Sequence, residues 1–155
     1  MTMTISTTIE VNRPSAEVFA YVTDPSRFSE WQDGVVGGHM ASDGLLAVGD
    51  RCITTRRIGF AERAVTSEIT RVDPSRAWGL RGIDGPIRAE VNVTVEPLDS
   101  GRRSRVTIEI DFAGHGFGRF IVPLAVQPQA RKEMPANMKR LKQRLEHGNQ
   151  APARG

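Results

Sequence analysis

The amino-acid sequence predicts an α+β domain, in which a curved antiparallel sheet of about seven strands wraps around one long C-terminal α-helix. The first observation is that apolar and polar residues mostly alternate between residues 35 and 112, which is typical of strands with one buried face. The second is that glycine, aspartate, serine and proline divide this region into short segments. The third is a C-terminal stripe spaced three and four residues apart, which predicts a helix.

The start of the chain predicts one strand followed by a short helix. Thr4–Val11 alternates β-branched and polar residues, as a strand does. Pro14 suits the first turn of a helix, and Val18 and Val22, four residues apart, give that helix an apolar face. Asp24-Pro25 then ends the helix, because the residue before a proline disfavours helical backbone angles.

A second short helix and six strands follow. Phe28 and Trp31, three residues apart, predict the helix, which should end near Asp33-Gly34. In the last two strands the alternation is strict, so one face of the antiparallel sheet should be covered and the other should meet water. The six predicted strands are Val35–Ala41, Arg51–Ile58, Ala61–Val72, Ala77–Gly82, Ile87–Glu96 and Arg103–Phe112.

The C-terminal stripe predicts one helix from about Val122 to Glu146, roughly 36 Å long at the standard rise per residue. The first half of the stripe contains polar residues, whereas the second half is methionine and leucine. We therefore expect the second half to pack on the core and the first half to line a cavity. The stripe consists of Phe120, Leu124, Gln127, Arg131, Met134, Met138, Leu141 and Leu145.

Two prolines, Pro128 and Pro135, lie inside this predicted helix. Each removes a helix hydrogen bond and favours a kink. A kink would reshape the mouth of the cavity. Alternatively, the helix begins only after Pro128, which would place Gln127 in a loop.

Length and composition predict a single domain over residues 1–147, followed by a polar tail, 148–155, that we expect to be disordered. The single cysteine and the lack of a recognisable signal peptide predict a cytoplasmic protein. No apolar run reaches the ~20 residues of a membrane span, so stable membrane insertion is not expected. The net charge of +3 is modest and the arginines are scattered, which argues against nucleic-acid binding. We expect a monomer or a homodimer.

Several short motifs follow one another in a characteristic order: Val11–Phe19, Thr23–Trp31, Val48–Arg51, Val72–Arg76, Gly82–Pro86 and Leu141-Lys142. Together they resemble the START-like (SRPBCC) superfamily with its helix-grip, or START/Bet v 1-like, fold, and within it the bacterial polyketide cyclase/dehydrase-like proteins. The resemblance extends from about Ile5 to Glu146. It implies binding of a lipid, hormone, polyketide or other hydrophobic molecule. Some members are catalytic, but the group shares no catalytic motif that could be carried over.

Arginines are the most informative residues of the predicted cavity. The register of the resembling family places Thr54 and Arg56 on the inner face of one strand. On the next strand, turning Val65 and Ile69 inward also turns Arg63 inward. A buried unpaired arginine is too costly to be accidental. Arg56, Arg63 and Arg131 are therefore candidates for holding a carboxylate, phenolate or enolate in an otherwise apolar pocket.

Two questions about these candidates remain open in the sequence. A bulge could shift the strand register, which would turn the arginines to water and make Arg57 and Glu62 equally good candidates. Trp31 and Trp78 could stack on a flat ligand or simply fill the core. The remaining predicted ligand contacts are Val91, Ile108, Phe117, Phe120, Leu124, Gln127 and Met134.

His115 lies in the glycine-rich turn Gly114–Gly118 before the long helix. The glycine spacing does not match a dinucleotide-binding turn, and we interpret the segment as a gate with Phe117 and Phe120 as its apolar lip. His115 is a candidate general base, although no partner carboxylate is identifiable. One cysteine and three scattered histidines predict no metal site, and no cofactor is expected.

Three functions are compatible with these features. The favoured one is a binding or carrier protein for a small hydrophobic molecule that is lipid-, polyketide- or aromatic-like. The arginines suggest that this molecule has an acidic group. The second is a cyclase or aromatase, in which Arg56 or Arg63 stabilises an enolate and His115 or a water molecule moves protons. The third is a protein-interaction domain.

Overall fold

The computed structural model describes residues 4–41, 43–44, 46–58, 60–85, 87–114, 116, 119 and 125–147. The strands are β1 (Ile5–Val11), β2 (Val35–Met40), β3 (Arg51–Ile58), β4 (Ala61–Asp73), β5 (Ala77–Gly82), β6 (Ile87–Leu98) and β7 (Arg103–Gly114). Among the described residues, the α-helices with defined bounds are α1 (Ser15–Val22) and α2 (Gln127–Glu146). Two 3₁₀ helices span Pro25–Glu30 and Asp99–Gly101.

The seven strands form one antiparallel sheet in the order β1-β7-β6-β5-β4-β3-β2. Strands β2 to β7 pair in chain order, and β1 joins the far end beside β7. The register shifts at bulges in β2 near Gly37 and in β4 near Arg71, and such bulges bend a strand. The predicted helix-grip fold is confirmed, with each predicted strand boundary within two residues of the observed one.

The helices differ in detail from the prediction. The segment that contains Phe28 is a 3₁₀ helix that ends at Glu30, before the predicted end near Asp33-Gly34. A spacing of three residues fits this tighter helix, which has three residues per turn, as well as it fits an α-helix. α2 ends at Glu146 as predicted, whereas its predicted start, Val122, lies outside the described residues.

The two prolines of α2 have different consequences. Pro128 lies in the first turn, where the missing N–H would have no partner within the helix. Gln127 is already helical, so the alternative in which the helix begins after Pro128 is wrong. Pro135 lies inside the helix and cannot donate to the carbonyl of Arg131, so one hydrogen bond is missing from the N-terminal half of α2.

The core is most completely buried where the C-terminal half of α2 meets β1 and α1. Leu141 and Leu145 of α2 have no exposed surface, and Met138 is 1% exposed. Val11 at the end of β1 and Val18 of α1 are equally buried. The prediction that this half of the helix packs on the core is therefore confirmed.

Arg13, in the loop after β1, holds the C-terminal end of α2. Its Nε donates to the carbonyl of Leu145 at 3.0 Å, and its Nη2 donates to the carbonyl of Glu146 at 2.9 Å. The last carbonyls of a helix lack partners within the helix, and their partial negative charge favours a cation. The backbone N–H of Asn12 also donates to the Glu146 carboxylate at 2.8 Å. Two adjacent loop residues thus fix this end of α2.

Replacing Arg13 with glutamine is expected to lower the free energy of unfolding by about 1–2 kcal/mol, because two helix carbonyls lose a charged donor. Urea unfolding followed by circular dichroism measures the change. Lys139→Gln is the matched control, since it removes the same charge from an exposed position of α2. Equal losses in the two variants would attribute the effect to net charge and contradict this role of Arg13.

The first 3₁₀ helix lies close against β2, and this contact positions Phe28 and Trp31. A Cβ atom at Gly38 of β2 would lie 2.6 Å from the carbonyl oxygen of Pro25, so only glycine permits this approach without a shift. From the other side, Arg140 of α2 donates to the carbonyl of Trp31 at 2.9 Å. The aromatic residues are therefore held between the sheet and α2.

Candidate functional site

The inner face of the sheet, which carries Val93 and Ile108, is covered unevenly. These two residues lie opposite each other on β6 and β7, and each is 3% exposed. Further along the same face, Val91, Ile110 and Phe112 are only partly buried. The inner face is thus apolar along both strands but less covered at one end. The predicted contacts Val91 and Ile108 lie on this face, on either side of the change in burial.

Arg56 adds a charge to the inner face on β3. It follows the buried Thr54 by two residues, and its own side chain is partly buried. Burial lowers the pKa of the Arg56 guanidinium from its ordinary value. Its Nη2 donates to Oε1 of Gln32 over a long 3.5 Å, and the carboxylate of Glu133 on α2 acts on it electrostatically. The guanidinium of Arg56 therefore lies between β3 and α2, and its lost hydration is only weakly replaced by protein groups.

Several other sheet arginines have close carboxylate partners. Arg103 lies 3.0 Å from Glu10, and Arg105 lies 3.0 Å from Glu96, all at partly or fully exposed positions. Arg56 forms no ion pair of this kind within the part of the chain that the structure describes. Such ion pairs at the surface contribute little to stability, whereas an unpaired buried cation is costly. Arg56 is therefore the sheet arginine that an additional anion would stabilise most.

Arg63 and Arg131, predicted together with Arg56, are placed differently. Arg63 lies directly opposite Arg56 on β4 and hence on the same face, but its side chain is exposed. Arg131 is exposed on α2, where the neighbouring Ala130 is the residue that packs against the core. The structure thus separates these two arginines from Arg56 by their exposure to water.

The strand register of β3 and β4 is the unshifted one. The two strands pair without a bulge, and Arg57 lies directly opposite Glu62. Both side chains are exposed and form an ion pair at 3.7 Å. Because neighbouring residues of a strand point to opposite faces, Arg57 and Glu62 lie on the outer face. The shifted-register alternative is therefore wrong.

Trp31 and Trp78 form one aromatic cluster with Phe28. The ring centroid of Phe28 lies 6.0 Å from that of Trp31 and 6.1 Å from that of Trp78, with nearly perpendicular planes. Trp78 lies opposite Val93 on β5 and therefore on the inner face. Both indole rings are buried, and neither Nε1 atom has a hydrogen-bond acceptor among the residues described.

The remaining predicted contacts fall into two groups. On α2, Met134 is buried at 6% exposure, and Gln127 is partly buried in the first turn. The others lie outside the described residues: His115, Phe117, Phe120 and Leu124.

Sequence reasoning missed two residues that act on Arg56, namely Gln32 and Glu133. Glu133 had a signal, because Ala130, Glu133 and Asn137 form a second stripe of helical spacing that is partly buried in α2. Gln32 lies in the turn after the first 3₁₀ helix, where no periodic pattern indicates which way its side chain points. The contact between Gln32 and Arg56 depends on how that turn folds over β3.

A cleft of about 400 Å³ opens at the end of β5, beyond the last pair of β5 with β6. Ala89 and Phe112, which belong to the inner face, contribute apolar walls. Arg81, Arg88 and Glu90 contribute charges of both signs. This mixture does not favour an anion over a cation, and Arg56 does not line the cleft.

Cys52 lies on the inner face of β3, where it is 1% exposed. Burial raises the pKa of its thiol to about 11, and the opposing influence of the Arg56 charge is smaller. The thiol is therefore protonated at neutral pH. Because the thiolate is the nucleophile, this cysteine should be unreactive in the folded protein.

At about pH 8, a shift of the thiol pKa from 9.0 to about 11 leaves roughly a hundredfold less thiolate. Modification by Ellman's reagent should therefore be at least that much slower in the folded protein than in urea. Since the folded state favours the protonated thiol, its contribution to stability is present below about pH 9 and is lost as the pH rises toward 11. Cys52→Ala should lack this part of the alkaline loss. Equal modification rates with and without urea would contradict the prediction.

Within the described ranges, no group of three or more histidine, cysteine, aspartate or glutamate side chains is arranged to hold a metal ion. No helix in these ranges combines the length and the apolar character needed to cross a bilayer.

Comparison with known proteins places this geometry in a wider context. A family model described as polyketide cyclase/dehydrase and lipid transport matches residues 2–146. The structure is similar to the Zhui aromatase/cyclase from Streptomyces sp. R1128, with a TM-score of 0.70 and 14% identity over 96% of this chain and 98% of that chain. It is also similar to a START superfamily protein from Mycobacterium smegmatis, with a TM-score of 0.68 and 14% identity over 92% of this chain and 96% of that one. At these identities the likeness shows the fold alone.

Two curated relatives are uncharacterized proteins from the CDC 1551 and H37Rv strains of Mycobacterium tuberculosis. Each is 33% identical to this chain over 72 residues, which cover 46% of this chain and 32% of the relative. The matched segment thus spans about a third of the length of these relatives.

Proposed function

The chain belongs to the polyketide cyclase/dehydrase and lipid transport family, and we propose that it binds a small hydrophobic molecule with an acidic group between the inner face of the sheet and α2. Membership confirms the family resemblance read from the sequence and implies a hydrophobic ligand. The acidic group and the location of the ligand are our proposal.

The environment of Arg56 is the observation that supports an acidic group on the ligand. Removing a guanidinium from water costs several kcal/mol unless charge or hydrogen bonds replace the lost hydration. Here the replacement is one long hydrogen bond to Gln32 and the influence of Glu133. A ligand carboxylate, phenolate or enolate would supply the missing partner, and a carboxylate would match the two-pronged geometry of the guanidinium.

The inner face of the sheet, which Arg56 shares, supports a hydrophobic body for the same ligand. The inner face carries aliphatic side chains on β6 and β7, and its less covered end leaves Val91, Ile110 and Phe112 partly accessible. A mostly apolar site with a few fixed polar groups is typical of pockets for small molecules. An amphipathic acid fits this arrangement better than either a hydrocarbon or a small soluble anion.

Three naphthalene compounds of nearly equal size test the proposal. They are 2-naphthoic acid, the neutral ketone 2-acetonaphthone and the hydrocarbon 2-ethylnaphthalene. Isothermal titration calorimetry should show the acid binding at least about tenfold more tightly than the hydrocarbon, since a charge-assisted hydrogen bond adds about 1.5–3 kcal/mol. Native mass spectrometry of the purified protein should show one acid molecule per chain. Binding of none of the three compounds would refute the proposed function.

A further inference from the structure

Two buried hydrogen-bond donors have no use in the site described so far. Trp31 is 5% exposed and Trp78 is 2% exposed, and the indole Nε1 of each lacks an acceptor within the described chain. Buried indole N–H groups usually have a partner, because desolvation of an unpaired donor destabilises the folded state. These are the only two tryptophans of the sequence. Packing alone accounts for their rings but not for their unpaired donors.

Trp31 precedes Gln32, whose side chain contacts Arg56, and Trp78 lies further along the same inner face. Both rings contact Phe28 at similar centroid distances, 6.0 and 6.1 Å, so all three belong to one cluster. Trp78 lies on the inner face of β5, and the residue after Trp31 is Gln32, whose side chain contacts Arg56 at 3.5 Å. Trp31 is therefore linked to Arg56 through Gln32, and Trp78 is linked to Trp31 through Phe28.

We propose that the Trp31 and Trp78 indole N–H groups bind an uncharged oxygen of the ligand, a ketone, hydroxyl or ether, separate from the acidic group bound by Arg56. This inference rests on the proposed function. An indole is a neutral donor in apolar surroundings, so it compensates the burial of a neutral oxygen far better than that of an anion. The ligand class is then an aromatic or alicyclic acid with a second oxygen function.

Two other partners for these donors are physically reasonable and are outcomes of the test. The ring of Phe28 is inclined by 79° and 73° to the two indoles, which allows a weak N–H to ring interaction. An ordered water molecule could also accept, although such a water usually needs two or more polar partners. Either would satisfy the donors without a ligand oxygen.

Nuclear magnetic resonance of protein labelled with ¹⁵N in the indole rings tests the proposal directly, because two tryptophans give two indole N–H signals. Binding of 2-acetonaphthone should move these signals further downfield than binding of 2-ethylnaphthalene does, because the two compounds share the naphthalene ring current and only the ketone accepts a hydrogen bond. In calorimetry, Trp31→Phe and Trp78→Phe should each weaken binding of the ketone about two- to tenfold and change binding of the hydrocarbon less than twofold.

Signals that move equally with both compounds, or that stay in place when calorimetry shows the ketone to be bound, would overturn the proposal and assign the donors to a ring or to water. Exchange of the indole N–H protons with water protons separates these two, because an N–H bound to water exchanges magnetisation with the solvent, whereas one that points at the buried Phe28 ring is shielded from it. The decisive titration uses the unmodified protein, so the proposal can still be tested if a tryptophan variant fails to fold. Failure of the proposed function is distinct, since then no naphthalene compound binds at all.

Discussion

Replacing Leu141 with alanine is expected to lower the free energy of unfolding by about 2–5 kcal/mol. Leu141 has no exposed surface and lies in the C-terminal half of α2, between the equally buried Met138 and Leu145. Removing its branched end leaves a cavity. The surrounding strands and the Arg13 bonds to the end of α2 restrict the movement that would fill it. Urea unfolding measures the loss.

The matched control for this variant is Gln143→Ala, two residues further along the same helix at an exposed position. It changes the helix surface without touching the core, so its effect should stay within about 0.5 kcal/mol. A loss below about 1 kcal/mol for Leu141→Ala would contradict the view that this half of α2 is packed into the core. The difference in the free energy of unfolding between the two variants therefore measures how much the packing of Leu141 into the core stabilises the fold.

Most of the fold could be predicted because its signals are periodic. The strands Ile87–Leu98 and Arg103–Gly114 alternate strictly, and slipping either by one residue would expose its whole apolar face. The four methionine and leucine positions of α2 constrain its buried face in the same way. The 3₁₀ helix Pro25–Glu30 was less predictable, because two aromatic residues three apart fit both kinds of helix.

The site was predictable only where it follows a strand register. The inward position of Arg56 follows from the alternation of β3, and the unshifted pairing with β4 bears it out. The exposure of Arg63 could not be predicted, because it depends on which segments cover the sheet near the β3–β4 turn. Arg131 is exposed on α2, where Ala130 packs against the core, and its contact with a ligand stays a prediction.

Replacing Arg56 with methionine is expected to weaken binding of 2-naphthoic acid about 10- to 100-fold, because a charge-assisted hydrogen bond in the site is lost. The same change should raise the free energy of unfolding by about 1–3 kcal/mol, since a poorly compensated buried charge gives way to an apolar chain of similar length. A residue that is retained for binding at the expense of stability has this signature. Calorimetry and urea unfolding provide the two measurements.

Arg63→Met is the control, because Arg63 lies opposite Arg56 on the same face but is exposed. It removes the same charge, and we expect less than a twofold change in affinity and a stability change within about 0.5 kcal/mol. Arg56→Lys keeps the charge but loses the two-pronged geometry, so it should restore only part of the binding. If Arg56→Met destabilised the protein and left binding of the acid unchanged, Arg56 would be a structural residue that Gln32 and Glu133 satisfy. The opposite signs expected for affinity and stability are what separate a ligand-binding arginine from a structural one.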